Sequence, residues 1–259
     1  MITIVDSLNN AKECFIKWLK EKYGNELLIG KKVFLKPNMG YPKPSPFTTS
    51  LKLILMVIEV LHKLKPQEII IGEGSTSKNS ALEIFSQVGL TETLKEYKVT
   101  LIDLNELESI DVELKNGSIH HLPAFLEKID LRISLPVIKF YDDDQGETFL
   151  SNTIKNFFGL PPKKKYQKSS DSFKRDDLHN DLHKSVAEIF QAVEQYSPFD
   201  FYICDGLEIL YSEAEKGDPY KWGKIILSDN ALEADLKVLE LLKKPMPRYI
   251  KLLKEKRIE

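Results

Sequence analysis

The hydrophobic residues of the chain fall into short continuous runs that alternate with longer amphipathic segments. Short apolar runs are typical of strands that are buried on both faces. The predicted strands are Lys32–Leu35, Glu68–Ile71, Val99–Asp103, Leu131–Leu135, Phe201–Cys204 and Ile225–Leu227. The predicted helices are Asn9–Tyr23, Ser50–Leu64, Ser80–Val88, Leu178–Tyr196 and Asn230–Leu242. This alternation predicts one α/β domain over residues 1–259, with a mostly parallel sheet flanked by helices.

Two parts of the chain depart from this alternation. The residues "KNGS" (Lys115–Ser118) lie between two stretches of period two, which predicts a small hairpin insertion, expected as an edge ribbon of the main sheet. The segment from about Tyr141 to Asp177 begins with "DDDQGE" and continues through a short helix ending at Gly159 and the residues "PPKKK". We expect an irregular basic loop or lid there, held in part by buried phenylalanines.

Composition excludes several classes of protein. Charged residues make up 29% of the 259 residues and nearly cancel to a net charge of −2, so there is no overall basic field of the kind that attracts nucleic acid. Cys14 and Cys204 are too few for a disulfide framework or for an intrinsic iron–sulfur cluster with four cysteine ligands. We expect a cytoplasmic protein, because no secretory signal and no apolar run of membrane-spanning length is present. The Lys- and Glu-rich composition is also found in thermophiles.

Polar residues follow nearly every predicted strand. The carboxyl ends of parallel strands share one edge of a sheet, and ligands of open α/β sheets bind at that edge. The polar and glycine residues in these positions are Lys36, Asn38, Gly72, Glu73, Gly74, Ser75, Asp103, Lys139, Asp205 and Asp229. This pattern predicts a ligand site rich in lysine and carboxylate side chains.

Each of these positions also has a purely structural interpretation. The residues "GEGSTS" form either a tight strand–turn–helix connection or a phosphate site made of backbone N–H groups. Asp229 is equally consistent with a helix N-cap, and Asp205 with an ordinary turn. His179 and His183 are four residues apart and share a helix face, which permits either a metal site or a single histidine, His183, at the edge of the ligand site.

Several motifs occur in the order that is typical of one family. The sequence resembles the domain of unknown function 362 family, a group of archaeal and bacterial proteins. The motifs that carry the resemblance are "VFLKPN", "IIIGEGSTSKNSALEIFSQVGL", "VTLIDLNE", "DLRISLPVIK", "NTIKNFFGLPPKKK", "LHKSVAEI", "FYICDGLE", "GDP" and "IILSDNALEAD". They extend over roughly residues 31–242.

The resemblance implies a set of site positions, although it implies no reaction. These positions are Lys36, Asn38, Lys139, Lys155, Asn156, His183, Asp205, Asp229 and Asp235. The chain departs from the family pattern in three respects, one of which is that the "M-x-G-x-GP" loop of the family is reduced to "YSEAEKGDP". Phe140 and Tyr141 stand where many members have a histidine, and the ferredoxin-like cysteine segment of many members is absent, so this chain resembles a short member.

The leading functional hypothesis is a site for a small anionic ligand that carries a phosphate or a carboxylate. Lysines 36, 139 and 155 would neutralise its charge, while Asn38, Asn156 and the Gly72–Ser75 turn would orient it. Metal-assisted catalysis is one option. His183, Asp205 and Glu73 are then the catalytic candidates, and Asp205 with Asp229 the candidate ligands of a divalent cation. The alternative is a scaffold that docks a partner or nucleic acid through the basic loop, and nucleic acid is the less favoured partner.

Overall fold

Mixed α/β structure is present throughout the computed structural model, which describes residues 1–24, 28–141, 148–169, 171–211 and 217–255. The strands are β1 Ile2–Val5, β2 Lys32–Pro37, β3 Glu68–Glu73, β4 Thr100–Asp103, β5 Ser109–Glu113, β6 Ile119–Pro123, β7 Leu131–Leu135, β8 Val137–Phe140, β9 Leu150–Ser151, β10 Phe201–Tyr211, β11 Asp218–Tyr220 and β12 Lys224–Ser228. The α-helices are α1 Leu8–Tyr23, α2 Leu51–Lys63, α3 Ala81–Gln87, α4 Leu90–Thr93, α5 Thr153–Asn156, α6 Leu182–Tyr196, α7 Ala231–Leu241 and α8 Arg248–Glu255. The predicted fold class is confirmed.

The main sheet has the strand order β1-β12-β10-β7-β2-β3-β4. Strands β10, β7, β2, β3 and β4 run parallel to one another, as the alternation of strands and helices predicts. Strand β12 is antiparallel to both of its neighbours, β10 and β1. The prediction that every strand end lies at one edge is therefore wrong for β12. Its apolar sequence indicates burial but does not indicate direction.

Two apolar clusters cover the two faces of the sheet, because successive strand residues point to opposite faces. Phe34 belongs to the cluster that includes residues of α5 to α8, whereas Val33 and Leu35 belong to the cluster that includes residues of α1 to α4. The layers are thus helix, sheet and helix. Within the described parts of the chain, every helix is too short or too polar to span a lipid bilayer.

The hairpin predicted around "KNGS" is present, with β5 and β6 paired in antiparallel register from Ser109–Pro123 to Glu113–Ile119. It forms a separate two-stranded sheet and not an edge ribbon of the main sheet. Its side chains bond to α6 instead, where Glu188 accepts a hydrogen bond from Asn116 Nδ2 at 2.7 Å.

Polar side chains define where the helices begin. Ser7, Ser50, Ser80 and Asn230 each accept a hydrogen bond from a backbone N–H in the first turn of α1, α2, α3 and α7, respectively. At α3 the side chain of Glu83 also bonds back to Ser80 N, which completes a capping box. These caps place α2 and α3 directly after the turns that follow β2 and β3, the strands that lead into the predicted site.

Candidate functional site

A cavity of about 280 Å³ lies at the carboxyl ends of β2, β3 and β8 and is covered by α5. Six of the predicted site residues line the cavity. They lie at the ends of β2 and β3, in the turn after β3, in β8 and in α5. They are Asn38, Glu73, Gly74, Lys139, Lys155 and Asn156. Lys174 and His179, which were not among the predicted site residues, also line it. The remaining predicted residues do not line it; they are Lys36, Gly72, Ser75, Asp103, His183, Asp205, Asp229 and Asp235.

Lys36 lies beneath the cavity and forms a buried ion pair with Glu73. Its Nζ is 2.5 Å from Glu73 Oε1 and 2.9 Å from the carbonyl oxygen of Pro37. Lys36 is fully buried and Glu73 is 3% exposed. Burial lowers the pKa of Lys36, and the neighbouring Glu73 carboxylate opposes that change. The structure therefore pairs Lys36 with a protein carboxylate and does not place it on the cavity wall.

A chain of hydrogen bonds links Lys139, Asn38 and Asn156 on one wall. Lys139 Nζ donates to Asn38 Oδ1 at 2.9 Å and to the carbonyl oxygen of Phe47 at 2.6 Å. The Asn156 side chain lies 3.4 Å from that of Asn38 and donates through Nδ2 to Lys36 O at 3.0 Å. The side chains of both asparagines are thus held in place by β2 and its following loop.

Lys155 lies on α5, a helix of only four residues that needs outside support. Asp235 of α7 supplies it, accepting hydrogen bonds from Thr153 N at 2.9 Å and from Thr153 Oγ1 at 2.5 Å. Burial raises the pKa of Asp235 to about 6. The Lys155 ammonium lies 4.9 Å from the centre of the Tyr141 ring, and Tyr141 also lines the cavity. Asp235 therefore stabilises α5, the helix that carries Lys155 to the cavity wall.

Gly74 and Gly159 allow two backbone segments to approach beside Glu73. A Cβ atom on Gly159 would lie 2.2 Å from Glu73 Oε1, and one on Gly74 would lie 2.3 Å from Gly159 O. Both distances are far shorter than a van der Waals contact permits. Gly72 is different, because a Cβ there would meet the side chains of Phe34, Ile102 and Leu104 at 2.9 Å. Gly72 thus serves packing of the core.

Arg175 fixes the basic segment, here residues 161–169 and 171–175, against the turn that contains Gly74. It is fully buried, and its guanidinium donates to Pro161 O at 2.6 Å and to Gly74 O at 3.2 Å. Burial lowers the pKa of Arg175 to about 10. Its neighbour Lys174 reaches the cavity. The signal in the sequence was that Arg175 is the one arginine among the lysines of this segment, since arginine suits buried multidentate sites.

The predicted lid includes two short 3₁₀ turns, Lys163–Lys165 and Asp176–His179, and a buried Tyr166 whose hydroxyl accepts a hydrogen bond from His121 N at 2.9 Å. The residues "DDDQGE", at 142–147, and residue 170 lie outside the described residues. Over the described part, the basic segment therefore packs on the domain.

The histidine at the cavity is His179 and not the predicted His183. His179 is exposed at the cavity mouth, and its Nδ1 lies 2.8 Å from Arg175 O. A carbonyl oxygen only accepts, so Nδ1 carries the proton. His183 is turned to α8, where its Nδ1 accepts from Tyr249 N at 3.2 Å. The four-residue spacing predicted that both histidines share one face of a helix. The chain instead turns between them, because α6 begins only at Leu182.

The other predicted polar residues hold turns. Asp205 is buried and accepts a hydrogen bond from Ser50 N at 2.7 Å, at the beginning of α2, and burial raises its pKa. Ser75 Oγ donates to Asn79 O at 2.6 Å. Asp229 follows the antiparallel β12 and so lies beside the amino end of β10, where it pairs with the N-terminal amine of Met1.

The two predicted metal ligands are consequently far apart along the sheet. Asp205 of β10 pairs with Ile225 at one end of the β12 ladder, whereas Asp229 follows Ser228 at the other end. Among the residues that the structure describes, no group of three or more histidine, cysteine, aspartate or glutamate side chains is arranged to hold a metal ion. The described part of the chain therefore does not bring Asp205 and Asp229 into one metal site.

The fold and the cavity together define an α/β protein with a polar cavity at the carboxyl edge of its parallel strands. The sequence model of DUF362, described as a domain of unknown function, matches residues 33–240. The chain belongs to this family, which confirms the resemblance seen in its motifs. No curated protein matches the sequence.

Two solved structures are similar to this one. A crystal structure of a Thermotoga maritima protein has 12% identity and a TM-score of 0.53, covering 98% of this chain and 60% of that chain. The lactate racemase apoprotein of Thermoanaerobacterium thermosaccharolyticum has 13% identity and a TM-score of 0.48, covering 89% of this chain and 54% of that one. The chain therefore spans little more than half the length of these proteins. The Thermotoga maritima similarity shows a shared fold.

Proposed function

We propose that the protein binds a small anionic ligand, bearing a phosphate or a carboxylate, in the cavity between Asn38, Lys139 and Lys155. The charge of the cavity wall supports this proposal best. Lys139, Lys155 and Lys174 all line it. Among the described lining residues, Glu73 is the one carboxylate, and its charge is balanced by Lys36 beneath it. The described wall is thus net positive.

The shape of the cavity suits a small molecule. A volume of about 280 Å³ lies near the lower end of the range for small-molecule sites. Lysine ammonium groups bind either phosphate or carboxylate as point charges, and amide groups such as those of Asn38 and Asn156 fix the orientation of such ligands. Lys139 is 2% exposed and is held by Asn38 and Phe47, which supports a fixed position for its ammonium group on the cavity wall.

Docking of nucleic acid by the basic segment has less support. Lys163 Nζ donates to Ser77 O at 3.1 Å, Lys164 pairs with Glu106 at 2.8 Å, and Arg175 is fully buried. These side chains bond to the protein itself. Phosphate-backbone recognition depends on basic side chains that reach outward to several phosphates.

Native mass spectrometry of undialysed protein tests the proposal. We expect a bound species of small-molecule mass and anionic character on the wild type, and its loss from the Lys139→Met variant. The Lys17→Met variant is the control, because the Lys17 side chain is 74% exposed and belongs to α1, away from the cavity. Protein that carries no small molecule, and that also binds neither phosphate nor carboxylates in titration, would contradict it.

A further inference from the structure

Glu73 lines the cavity and has one acceptor position that no described donor occupies. Its Oε1 accepts two hydrogen bonds, from Lys36 Nζ at 2.5 Å and from Gly74 N at 2.9 Å. Its Oε2 accepts one, from Met39 N at 2.8 Å. A carboxylate offers about four lone-pair sites. Three are therefore used inside the protein, and the fourth, on Oε2, remains at a residue that lines the cavity.

Glu73 is held firmly in this arrangement. The ammonium of Lys36 balances its charge, and Gly159 lies so near Oε1 that a Cβ atom there would be 2.2 Å from it. In all three of these hydrogen bonds the Glu73 oxygens accept from an N–H group of the protein. Burying its last lone pair against a ligand without a donor would leave that lone pair unsatisfied, which is unfavourable.

His179 supplies a second acceptor on the cavity wall. Its Nδ1 proton is directed to Arg175 O, so Nε2 is the acceptor atom when the ring carries a single proton. The wall thus combines ammonium groups of Lys139, Lys155 and Lys174 with two acceptors. Ammonium groups match an anionic group of the ligand, whereas the acceptors match hydroxyl or amine protons.

Resting on the proposed anion site, we infer that the ligand carries a hydroxyl or amine hydrogen-bond donor beside its anionic group, and that Glu73 Oε2 accepts from it. The ligand class is therefore a small hydroxy- or amino-substituted carboxylate or phosphate ester. A bare anion of equal charge fills only the lysine part of the cavity. Glu73 then sets specificity within the class of small anions.

Titration calorimetry with two matched series tests this inference on the wild-type protein. One series is acetate, glycolate and glycine, and the other is ethyl phosphate, ethylene glycol monophosphate and phosphoethanolamine. In each series the hydroxyl member has the charge of its parent anion, whereas the amine member carries one more positive charge. In at least one series, we expect the hydroxyl or amine member to bind about tenfold or more tightly than its parent anion, because a hydrogen bond to a charged acceptor has that worth. The Lys36→Met and Glu73→Gln double variant, which removes both charges of the buried pair, should bind the parent anion with a reduced preference, because the glutamine amide oxygen is a neutral and weaker acceptor.

The outcomes separate the two proposals. If parent and substituted anions bind equally to the wild type, the donor inference is overturned and the anion site stands. If no member of either series binds, the anion site itself is overturned, and the inference with it. If the preference persists undiminished in the double variant, Glu73 is not the acceptor. The comparison of parent and substituted anions uses only the wild-type protein. It therefore still tests the inference if the double variant fails to fold.

Discussion

Asp235, on α7, accepts hydrogen bonds from both the backbone N–H and the hydroxyl of Thr153, the first residue of α5. Thr153 lies two residues before Lys155 and three residues before Asn156, and both of these residues line the cavity. A buried carboxylate that touches no ligand therefore positions two side chains that line the proposed site.

Removing this support should loosen the site and destabilise the fold. The Asp235→Ala variant leaves the Thr153 donors and the Tyr249 hydroxyl without their buried acceptor. We expect the free energy of unfolding to fall by about 2–4 kcal/mol, as for other buried polar networks that lose one partner. Urea denaturation measures this loss, and a change below about 0.5 kcal/mol would contradict the role of Asp235.

The same carboxylate predicts a pH dependence. The pKa of Asp235 is raised from 3.8 to about 6, so the folded state binds its proton more tightly than the unfolded state does. Its contribution to stability is therefore full below about pH 4 and is lost as the pH rises through about 6. Relative to Asp235→Asn, the wild type should gain about 2 kcal/mol between about pH 7 and about pH 4. A difference between the two proteins that stays constant over this range would contradict the assignment.

Much of the fold follows from the sequence because burial and periodicity determine it locally. The prediction of β7 at Leu131–Leu135 matches the observed bounds, and α1 differs by one residue. The direction of β12 does not follow, since an apolar run looks the same in either direction. Its reversal removes Asp229 from the predicted site.

The site could be predicted in part for the same reason. Strand ends on parallel neighbours converge, which brings Asn38 and Glu73 to one cavity. Which lysine faces the cavity depends on tertiary contacts, so Lys36 was expected at the ligand although it is paired with Glu73. The position of the histidine depends on the turn before α6, and spacing alone does not distinguish His183 from His179, whereas the family resemblance favoured His183.

The Lys36–Glu73 pair should be strongly coupled. Lys36→Met alone leaves a buried carboxylate unpaired, and we expect it to lower the free energy of unfolding by about 3–5 kcal/mol. Glu73→Gln alone should also destabilise, whereas the double variant should lose about 1–3 kcal/mol less than the sum of the two. A double-mutant cycle from chemical denaturation measures this coupling. Additive single losses would show that the pair is not a unit.

The glycine that faces Glu73 should not tolerate a side chain. In Gly159→Ala, the new methyl group would lie 2.2 Å from Glu73 Oε1, and we expect a loss of about 1–3 kcal/mol of stability together with weaker anion binding. Gly40→Ala is the matched control on the same cavity, because its Cβ would lie 3.4 Å from Thr76 Oγ1. Thermal unfolding of both variants compares them. Equal behaviour of the two would contradict the close approach.

Nucleic acid should not bind through the basic segment. Fluorescence anisotropy with labelled single-stranded and duplex oligonucleotides should show no saturable binding at about 0.15 M salt. The Lys164→Ala and Lys165→Ala variant, which removes two exposed charges of the segment, should behave as the wild type. Binding that weakens steeply with added salt and is lost in this variant would support the scaffold alternative.

The central claim is that Lys155 and its neighbours bind an anion in the cavity. Titration calorimetry of ethyl phosphate and glycolate into the wild type, Lys155→Met and Lys165→Met tests it most directly. At least one of the two should bind the wild type and the exposed-lysine control alike, and should bind Lys155→Met about tenfold more weakly, as expected for loss of a charged partner. Equal affinity in Lys155→Met and the wild type would contradict the claim.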